Sequence, residues 1–476
     1  MSGRNTIPLV VDLDGTLCKS DLLYESLCVL LKHRIWCVFL LPIWLCRGKA
    51  YLKQQVAQRV TVAVDVLPYH PALLAYLTTQ HAHGRHLVLA TASDMRLAHD
   101  VATHLGIFDT VLASDGTTNL SAERKRDRLV ALFGVKGFDY VGNSRHDLSV
   151  WAVAHQAIVV NTPRQVQAAA AQVAEVAQVF DALPGLVRPF VRALRLHQWL
   201  KNLLIFAPLL AAHRFWEVPL LTQALLAFVA FGLCASSVYL LNDLLDLAAD
   251  RHHPHKRQRP FAAGALPLLI GLVAIPLLLG LSGLVGLLLP PAFLGILALY
   301  YSTTLAYSLV LKHEAPLDVL VLAGLYTARM VAGSAATAIW PSGWLMAFTA
   351  FLFLSLALVK RYAELIVMIR EVGESTARER NYRVDDRELL SAMGVASGYL
   401  AVVILALYLN RVAGETIFER YDVSWLWCPL LLYWISYVWL IAHRGGMSDD
   451  PVVFAIKDRT SRVVAVAMGV VLLLAA

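Results

Sequence analysis

Two groups of carboxylates in this sequence sit beside hydroxyls or cations at spacings that can do chemistry. The first is Asp12-Leu13-Asp14-Gly15-Thr16, at the end of the apolar run IPLVVD. Two carboxylates one residue apart at a strand's carboxyl edge can serve as nucleophile and general acid–base. Gly15 lets the chain turn away and frees backbone groups to face a phosphate. Thr91 ends a second apolar run, Lys125 precedes an apolar helix, and a later run leads into Gly142-Asn143-Ser144-Arg145-His146-Asp147. Nucleophile, hydroxyl, cation and further carboxylate together suit phosphoryl transfer with Mg²⁺, because hard oxygen ligands match that ion.

The second group is Asn242-Asp243-Leu-Leu-Asp246-Leu-Ala-Ala-Asp250, followed by Arg251, Lys256, Arg257 and Arg259. At about 100° per residue, 242, 246 and 250 stack on one helical face with 243 beside them. Converging carboxylates repel unless cations bridge them. A Mg²⁺-bound diphosphate meets that need: the acids hold metal, the metal holds phosphate oxygens, and the basic residues neutralise the leaving group. An ordinary polar loop would scatter its acids without such spacing. A metal site on His252, His253 and His255 is disfavoured beside so many carboxylates.

The elements that must carry these residues change character near residue 195. Before it, the runs 7–12, 86–91, 108–114, 138–142 and 157–161 read as buried parallel strands with helices between them, an α/β arrangement. Residues 20–85 form an insertion whose apolar stretch 27–46 is broken by Lys32, His33, Arg34 and Pro42, so it reads as a helical cap resting on a membrane surface. Residues 166–195 read as a linker and a basic juxtamembrane helix carrying Arg188, Arg192 and Arg195. From 196 to 476 the chain reads as nine spans, roughly 197–213, 218–241, 266–288, 290–311, 316–338, 341–359, 390–410, 424–442 and 461–476.

Composition agrees with a membrane protein: of 476 residues, 58% are hydrophobic and only 16% charged, and the mean hydropathy is +0.60. Basic residues crowd one set of loops (Arg251, Lys256, Arg257, Arg259, Lys312, Arg361, Arg370, Arg378, Arg380, Arg383, Arg387, Arg444, Lys457, Arg459), whereas the other side has Arg214, Arg411 and Arg420. The bias places those loops and the N-terminal part in the cytoplasm, in the plasma (inner) membrane, and no signal peptide fits the first residues. A net charge of +7 points to anionic lipids or phosphorylated substrates. Dispersed as it is, it gives no nucleic-acid footprint. Six cysteines without a CxxC pair imply neither a disulfide framework nor a zinc site. Gly280, Gly283 and Gly286 suggest close helix packing, and the Tyr and Trp residues near 425–439 suggest interfacial anchors.

Over about residues 5–165 the chain resembles the haloacid dehalogenase-type phosphatase superfamily, through DLDGT followed in order by Thr91, Lys125 and Asp147. The resemblance implies a Rossmann-like domain over 1–165 in which Asp12 forms an aspartyl-phosphate. Asp14 would protonate the leaving group and later activate water, and Thr91 and Lys125 would hold the phosphoryl group. Asp12, Asp14, Asn143 and Asp147 would hold Mg²⁺. The superfamily commonly has GDxxxD in its fourth motif; here Asn143 takes the first acidic position, which weakens that metal site. A degenerate regulatory copy is the alternative.

Over 195–476, NDLLDLAADRHHPHKRQRP resembles the first aspartate-rich motif of the UbiA superfamily of intramembrane transferases, whose architecture is a nine-helix all-α bundle. The second DxxxD motif of most prenyl-transferring members is replaced here by Lys360-Arg361-Tyr362-Ala363-Glu364-Leu365. With QWLKNLLIFAP and DPVVFAIKDR, this is similar to the decaprenyl-phosphate phosphoribosyltransferase branch. The resemblance implies transfer of 5-phosphoribosyl from phosphoribosyl diphosphate to a polyprenyl phosphate. Asp243, Asp246 and Asp250 would hold Mg²⁺ on the leaving diphosphate. Asn242, Lys256, Arg257 and Arg259 would lie beside it, and Lys201, Lys312, Lys360 and Arg361 would bind phosphates, with Tyr362 and Glu364 as polar orienters. Lys201 lies just inside the first span, where a cation without a role is costly, although snorkelling to the interface also explains it. Asp318 and Arg329 are a weaker, structural pair. The expected protein is thus multidomain, its phosphatase trimming the 5-phosphate of the transfer product. Two other readings stand: a prenyltransferase using polyprenyl diphosphate and an aromatic acceptor, and a non-enzymatic carrier with a regulatory N-terminal domain. A homo-oligomer is open.

Overall fold

The computed structural model describes residues 7–180, 185–372, 378–379, 381–412, 420–447 and 450–475. The chain divides into two units, residues 1–194 with 239–275, and residues 195–238 with 276–476.

The first unit holds a six-stranded sheet of β1 (Leu9–Val11), β2 (Leu87–Asp94), β3 (Thr110–Ser114), β4 (Asp139–Gly142), β5 (Gln156–Val160) and β6 (Glu175–Phe180). All strands are parallel, in the order β3-β2-β1-β4-β5-β6. Leu9 is in register with Leu87 on one side and Asp139 on the other. Alternation divides the core between the two faces: Leu9 and Val11 join one cluster with Leu87 and Leu89, while Val10 joins another with Val88, Tyr140 and Trp151. The strand order reverses beside β1, so the carboxyl ends of β1, β2 and β4 converge at the crevice where such sheets bind ligands.

The sheet reaches further than the sequence suggests, because β6 lies inside the expected linker, 166–195. Its side chains EVAQVF are mostly exposed and only Phe180 is buried, so as an edge strand it lacks a hydrophobic signature. The insertion is helical: Leu22–His33, a 3₁₀ stretch Ile35–Leu40, then Leu41–Cys46 and Lys49–Ala57. Trp36 and Phe39 are 78% and 72% exposed, and no helix there is long enough to span.

Among the described residues, seven helices are long and apolar enough to cross a membrane: Val218–Leu245, Leu268–Gly286, Pro291–Leu309, Leu317–Thr337, Gly343–Arg370, Asp386–Arg411 and Asp422–His443. Two of the nine expected spans are not among these seven. The first is a 3₁₀ stretch, Leu196–Phe206, followed by the short helix Ala207–Ala211. The ninth, Arg459–Ala475, has 17 described residues and runs to the last residue described. In the second unit the core gathers Tyr326, Phe353, Tyr362, Ile435 and Trp439 in one cluster and Phe231, Phe293 and Tyr300 in another. The expected glycine packing holds at Gly286 alone, where a Cβ would stand 2.7 Å from Leu294; Gly280 and Gly283 face open space. Arg380 lies outside the described residues.

Candidate active site

At the carboxyl ends of β1, β2 and β4 the first group of acids comes together as expected. Asp12 accepts from Lys125 Nζ (2.6 Å) and from Thr16 Oγ1 (3.1 Å). Asp14 accepts from Thr91 Oγ1 (3.0 Å), Ser93 Oγ (2.7 Å) and the Leu22 amide (2.8 Å). Lys125 also donates to Tyr140 Oη (3.0 Å), whose hydroxyl in turn donates to Asp147 (2.8 Å). Asp147 further accepts from the amides of Asn143 and Ser144 and from Ser144 Oγ, so the short turn after β4 is built around it. A Cβ on Gly15, at φ +76°, would meet Asn143 Nδ2 at 2.1 Å, so only glycine lets that amide close over the turn.

Burial lifts Asp12 above the ordinary carboxylate range, opposed by Lys125 and reinforced by Asp147 and Asp14. Burial works against a charged Lys125 as well, but Asp12 and Asp147 outweigh it and hold the ammonium protonated. Asp12, Asp14, Lys125, Asn143 and Asp147 all line one cavity of ≈ 680 Å³. The cap adds residues that sequence reasoning missed. Lys53 lines the cavity and donates to the Ala92 carbonyl (2.6 Å) and to Asn119 (3.3 Å), and Asp21 caps the helix that starts at Leu22. Ser93 and Tyr140 were missed too; Ser93, two residues beyond Thr91 on the same strand, was the one with a local signal.

The second group is rearranged. The helix Val218–Leu245 ends just before Asp246, which precedes a further short helix, Leu247–His252, without a capping bond from its side chain. Instead of a stack at 242, 246 and 250, the structure brings Asp243 and Asp250 together, seven residues and two turns apart. Both bond Arg259 Nη1, at 3.1 and 2.7 Å. Asp246 turns to Lys32 of the cap, 3.0 Å away. Burial raises Asp250 and Arg259 opposes that shift. Asn242 is half-buried, as is Lys256, whereas Arg257 is exposed. Arg251 makes a paired contact with Glu25 (3.1 and 2.6 Å), with both side chains nearly inaccessible.

Among the described residues no three His, Cys, Asp or Glu side chains are already arranged as a metal cage. The donors nonetheless fit a hard dication. Asp243 and Asp250 converge on one positive nitrogen, and Asp12, Asp14 and Asp147 open on one cavity with oxygen atoms only.

In the second unit, the expected phosphate ligands separate into two clusters. Lys201 (2.7 Å) and Lys360 (3.5 Å) meet at Asp450, which also accepts from Tyr326 Oη (3.1 Å). Asp450 lies outside the spanning helices, and despite burial the two lysines hold its carboxyl well below the usual range. Arg361 lies elsewhere and is spent on the protein itself: it donates to Asp318, Glu364 and Tyr307. Tyr382 Oη donates to Asp318 (2.6 Å), and Tyr362 is buried with its hydroxyl on His443. Asp318 therefore pairs with Arg361, whereas Arg329 donates to Asn202 (3.0 Å) and Tyr300 (2.9 Å). Lys312 is half-buried in the turn Leu311–His313. An apolar cavity of ≈ 570 Å³, lined by Leu299, Tyr300, Leu320, Phe351 and Leu354 among others, lies among the helices Pro291–Leu309, Leu317–Thr337 and Gly343–Arg370.

Among the described residues, seven helices long and apolar enough to cross a membrane, together with two buried acids on one arginine, mark an integral membrane protein with a polar site. Residues 203–442 match the UbiA prenyltransferase family, and the chain belongs to it. It is 36% identical over 459 residues to the uncharacterized protein y4nM of Sinorhizobium fredii, covering 96% of this chain and 88% of that one. Nodulation protein NoeC of Azorhizobium caulinodans is 36% identical over 287 residues, 60% of this chain and 93% of its own. Decaprenyl-phosphate phosphoribosyltransferase of Mycobacterium tuberculosis is 34% identical over 293 residues, 60% of this chain and 92% of its own.

Proposed function

We propose that the membrane part transfers 5-phosphoribosyl from phosphoribosyl diphosphate to a polyprenyl phosphate on the cytoplasmic side of the inner membrane, and that the α/β part then removes the 5-phosphate. The observation that carries the first step is the convergence of Asp243 and Asp250 on Arg259, in a chain similar to a relative named for that transfer. Asp243 and Asp250 would hold Mg²⁺, with Asp246 joining them only on leaving Lys32, and the ion would supply charge neutralisation on a leaving diphosphate. Arg259, Lys256 and Arg257 add cations to the same group. As the bond from ribosyl C1 to the diphosphate breaks, an oxygen of the lipid phosphate bonds to C1. That nucleophile is already ionised, so no general base is required. Lys201 and Lys360, neighbours through Asp450, would hold an anionic phosphate, and the apolar cavity suits an isoprenoid tail.

The second step is supported by the resemblance of DLDGT, Thr91, Lys125 and Asp147 to the haloacid dehalogenase-type phosphatases and by the way these residues meet. Asp12 attacks phosphorus and the bond to the ribose C5 oxygen breaks, with Asp14 giving that oxygen a proton. Water then attacks the aspartyl-phosphate, returning a proton to Asp14 and releasing inorganic phosphate. Lys125 and Thr91 hold the phosphoryl oxygens. The Trp36 and Phe39 face of the cap suits contact with the membrane surface that carries the product.

Purified full-length protein, incubated with phosphoribosyl diphosphate, Mg²⁺ and a polyprenyl phosphate, is expected to yield lipid-linked ribose by mass analysis. The Asp12→Asn variant should accumulate the phosphorylated lipid. No ribosylated lipid, with turnover instead of polyprenyl diphosphate and an aromatic acceptor, would replace this reading with a prenyltransferase one. Wild-type protein that makes the phosphorylated lipid but never trims it would remove the second step.

A further inference from the structure

The cavity of the α/β centre is not closed by the α/β part alone. Besides Asp12, Asp14 and Lys125, its wall includes Ala263, Gly264, Ala265, Pro267, Leu268 and Leu269. This segment begins four residues after Arg259, the residue that joins Asp243 and Asp250, and at Leu268 it becomes the membrane-crossing helix Leu268–Gly286. The wall is built in. Amides 263–266 fold back on the carbonyls of Arg259, Pro260 and Phe261, while Phe261 and Leu266 are fully buried. Arg251 grips the Ala262 carbonyl through Nε (3.0 Å) and Glu25 through its other nitrogens. Gly264 adopts φ +67°, and a Cβ there would stand 2.7 Å from Lys19 Cβ.

The two parts of this lining differ in chemistry. The α/β part and its cap contribute carboxylates, Lys125, Lys19 and Lys53; residues 263–269 contribute only glycine, alanine, proline and leucine, ending at Leu269, 44% exposed on the first turn of a membrane helix. A free sugar phosphate has no apolar surface to set against that wall, whereas a phosphomonoester whose other end is anchored in the bilayer does.

We propose that residues 263–269 are the lipid-side wall of the α/β centre and select its substrate, a phosphomonoester carried on a polyprenyl phosphate, over the free sugar phosphate. This rests on the hydrolytic reading of that centre. Water is the co-reactant, the P–O bond to the sugar breaks, inorganic phosphate leaves, and the hydroxyl stays on the lipid.

The test compares kcat/KM for phosphate release from polyprenyl-phosphate-linked 5-phosphoribose and from ribose 5-phosphate, with full-length protein in nanodiscs. Wild type should prefer the lipid-linked ester at least tenfold, and Leu269→Glu should cut that ratio at least tenfold, with Leu269→Ala in between. A photoreactive polyprenyl-linked phosphomonoester should crosslink to the peptide carrying 263–269, which reads the contact without relying on a variant's folding. Equal use of both esters by wild type, an unchanged ratio in both variants, or crosslinks confined elsewhere would overturn the proposal while leaving the hydrolysis itself standing. Absence of any release from either ester would instead remove the hydrolytic reading and the proposal with it.

Discussion

Replacing Arg361 by methionine is expected to destabilise the membrane unit before it touches catalysis. The Arg361 and Asp318 side chains are both wholly inaccessible. The guanidinium spends Nε on Asp318, Nη1 on Glu364 and Nη2 on Tyr307 (2.5 Å). Methionine fills much of the space but leaves Asp318 with Tyr382 Oη as its remaining donor among the bonds described above. Glu364 is 30% exposed and can turn to water; Asp318 cannot. Removing one partner of a buried ion pair costs about 3–5 kcal/mol. At roughly 2–4 °C per kcal/mol for a unit of this size, the melting temperature should fall by about 6–20 °C. Thermal unfolding followed by tryptophan fluorescence in nanodiscs measures it. The double variant Arg361→Met with Asp318→Leu removes both charges and should recover most of the loss, because an apolar pair of similar volume is often neutral or stabilising. An Arg361→Met protein that melts with wild type yet binds its phosphorylated donor poorly would refute the reasoning, and would return Arg361 to the substrate.

Asp243→Asn and Asp250→Asn should each lower transfer from labelled phosphoribosyl diphosphate by at least about 100-fold, since even residues behind a metal ligand are worth about 10–100-fold; undiminished turnover in both variants, or after chelation of divalent ions, contradicts the assignment. Lys201→Met should raise the KM for one anionic substrate by about tenfold or more, equivalent to about 1.4 kcal/mol, in initial rates measured while each substrate is varied. Asp21 offers a pH test. Burial and the nearby Asp14 push its carboxyl up to about 7, against 3.8 for the ordinary group. Between about pH 4 and 7 the folded chain therefore keeps a proton that the unfolded chain releases, so stability falls as pH rises through that window. Asn keeps an acceptor for the Leu23 amide and should stabilise the protein at pH 8 by on the order of 1 kcal/mol, discounted for partial exposure. Thermal melts at pH 8 and pH 5 check it, with little gain expected at pH 5.

Much of this architecture was written locally. Strands β1, β2, β4 and β5 showed as short aliphatic runs because both faces of the sheet are buried there, β3 kept an apolar run although it is the other edge, and seven spans showed as long apolar segments. The order of Asp12, Asp14, Thr91, Lys125 and Asp147 was legible for a related reason: each follows or opens an element whose end can be read. Strand β6 was not legible, since an edge strand with one buried side chain has the composition of a polar linker. The first segment was apolar enough to read as a span, yet it winds as a 3₁₀ stretch.

What tertiary structure decided were the partners. Helical spacing suggested that 242, 246 and 250 act together, but Arg259 and the Lys32 of a distant cap drew 243 and 250 to one place and 246 to another. Lys201 and Lys360 found each other through Asp450, and Arg361 was taken by Asp318. Periodicity along a chain records what surrounds each residue on average, apolar or wet. It carries no mark of which charge, a hundred or more residues away, the fold will set against another.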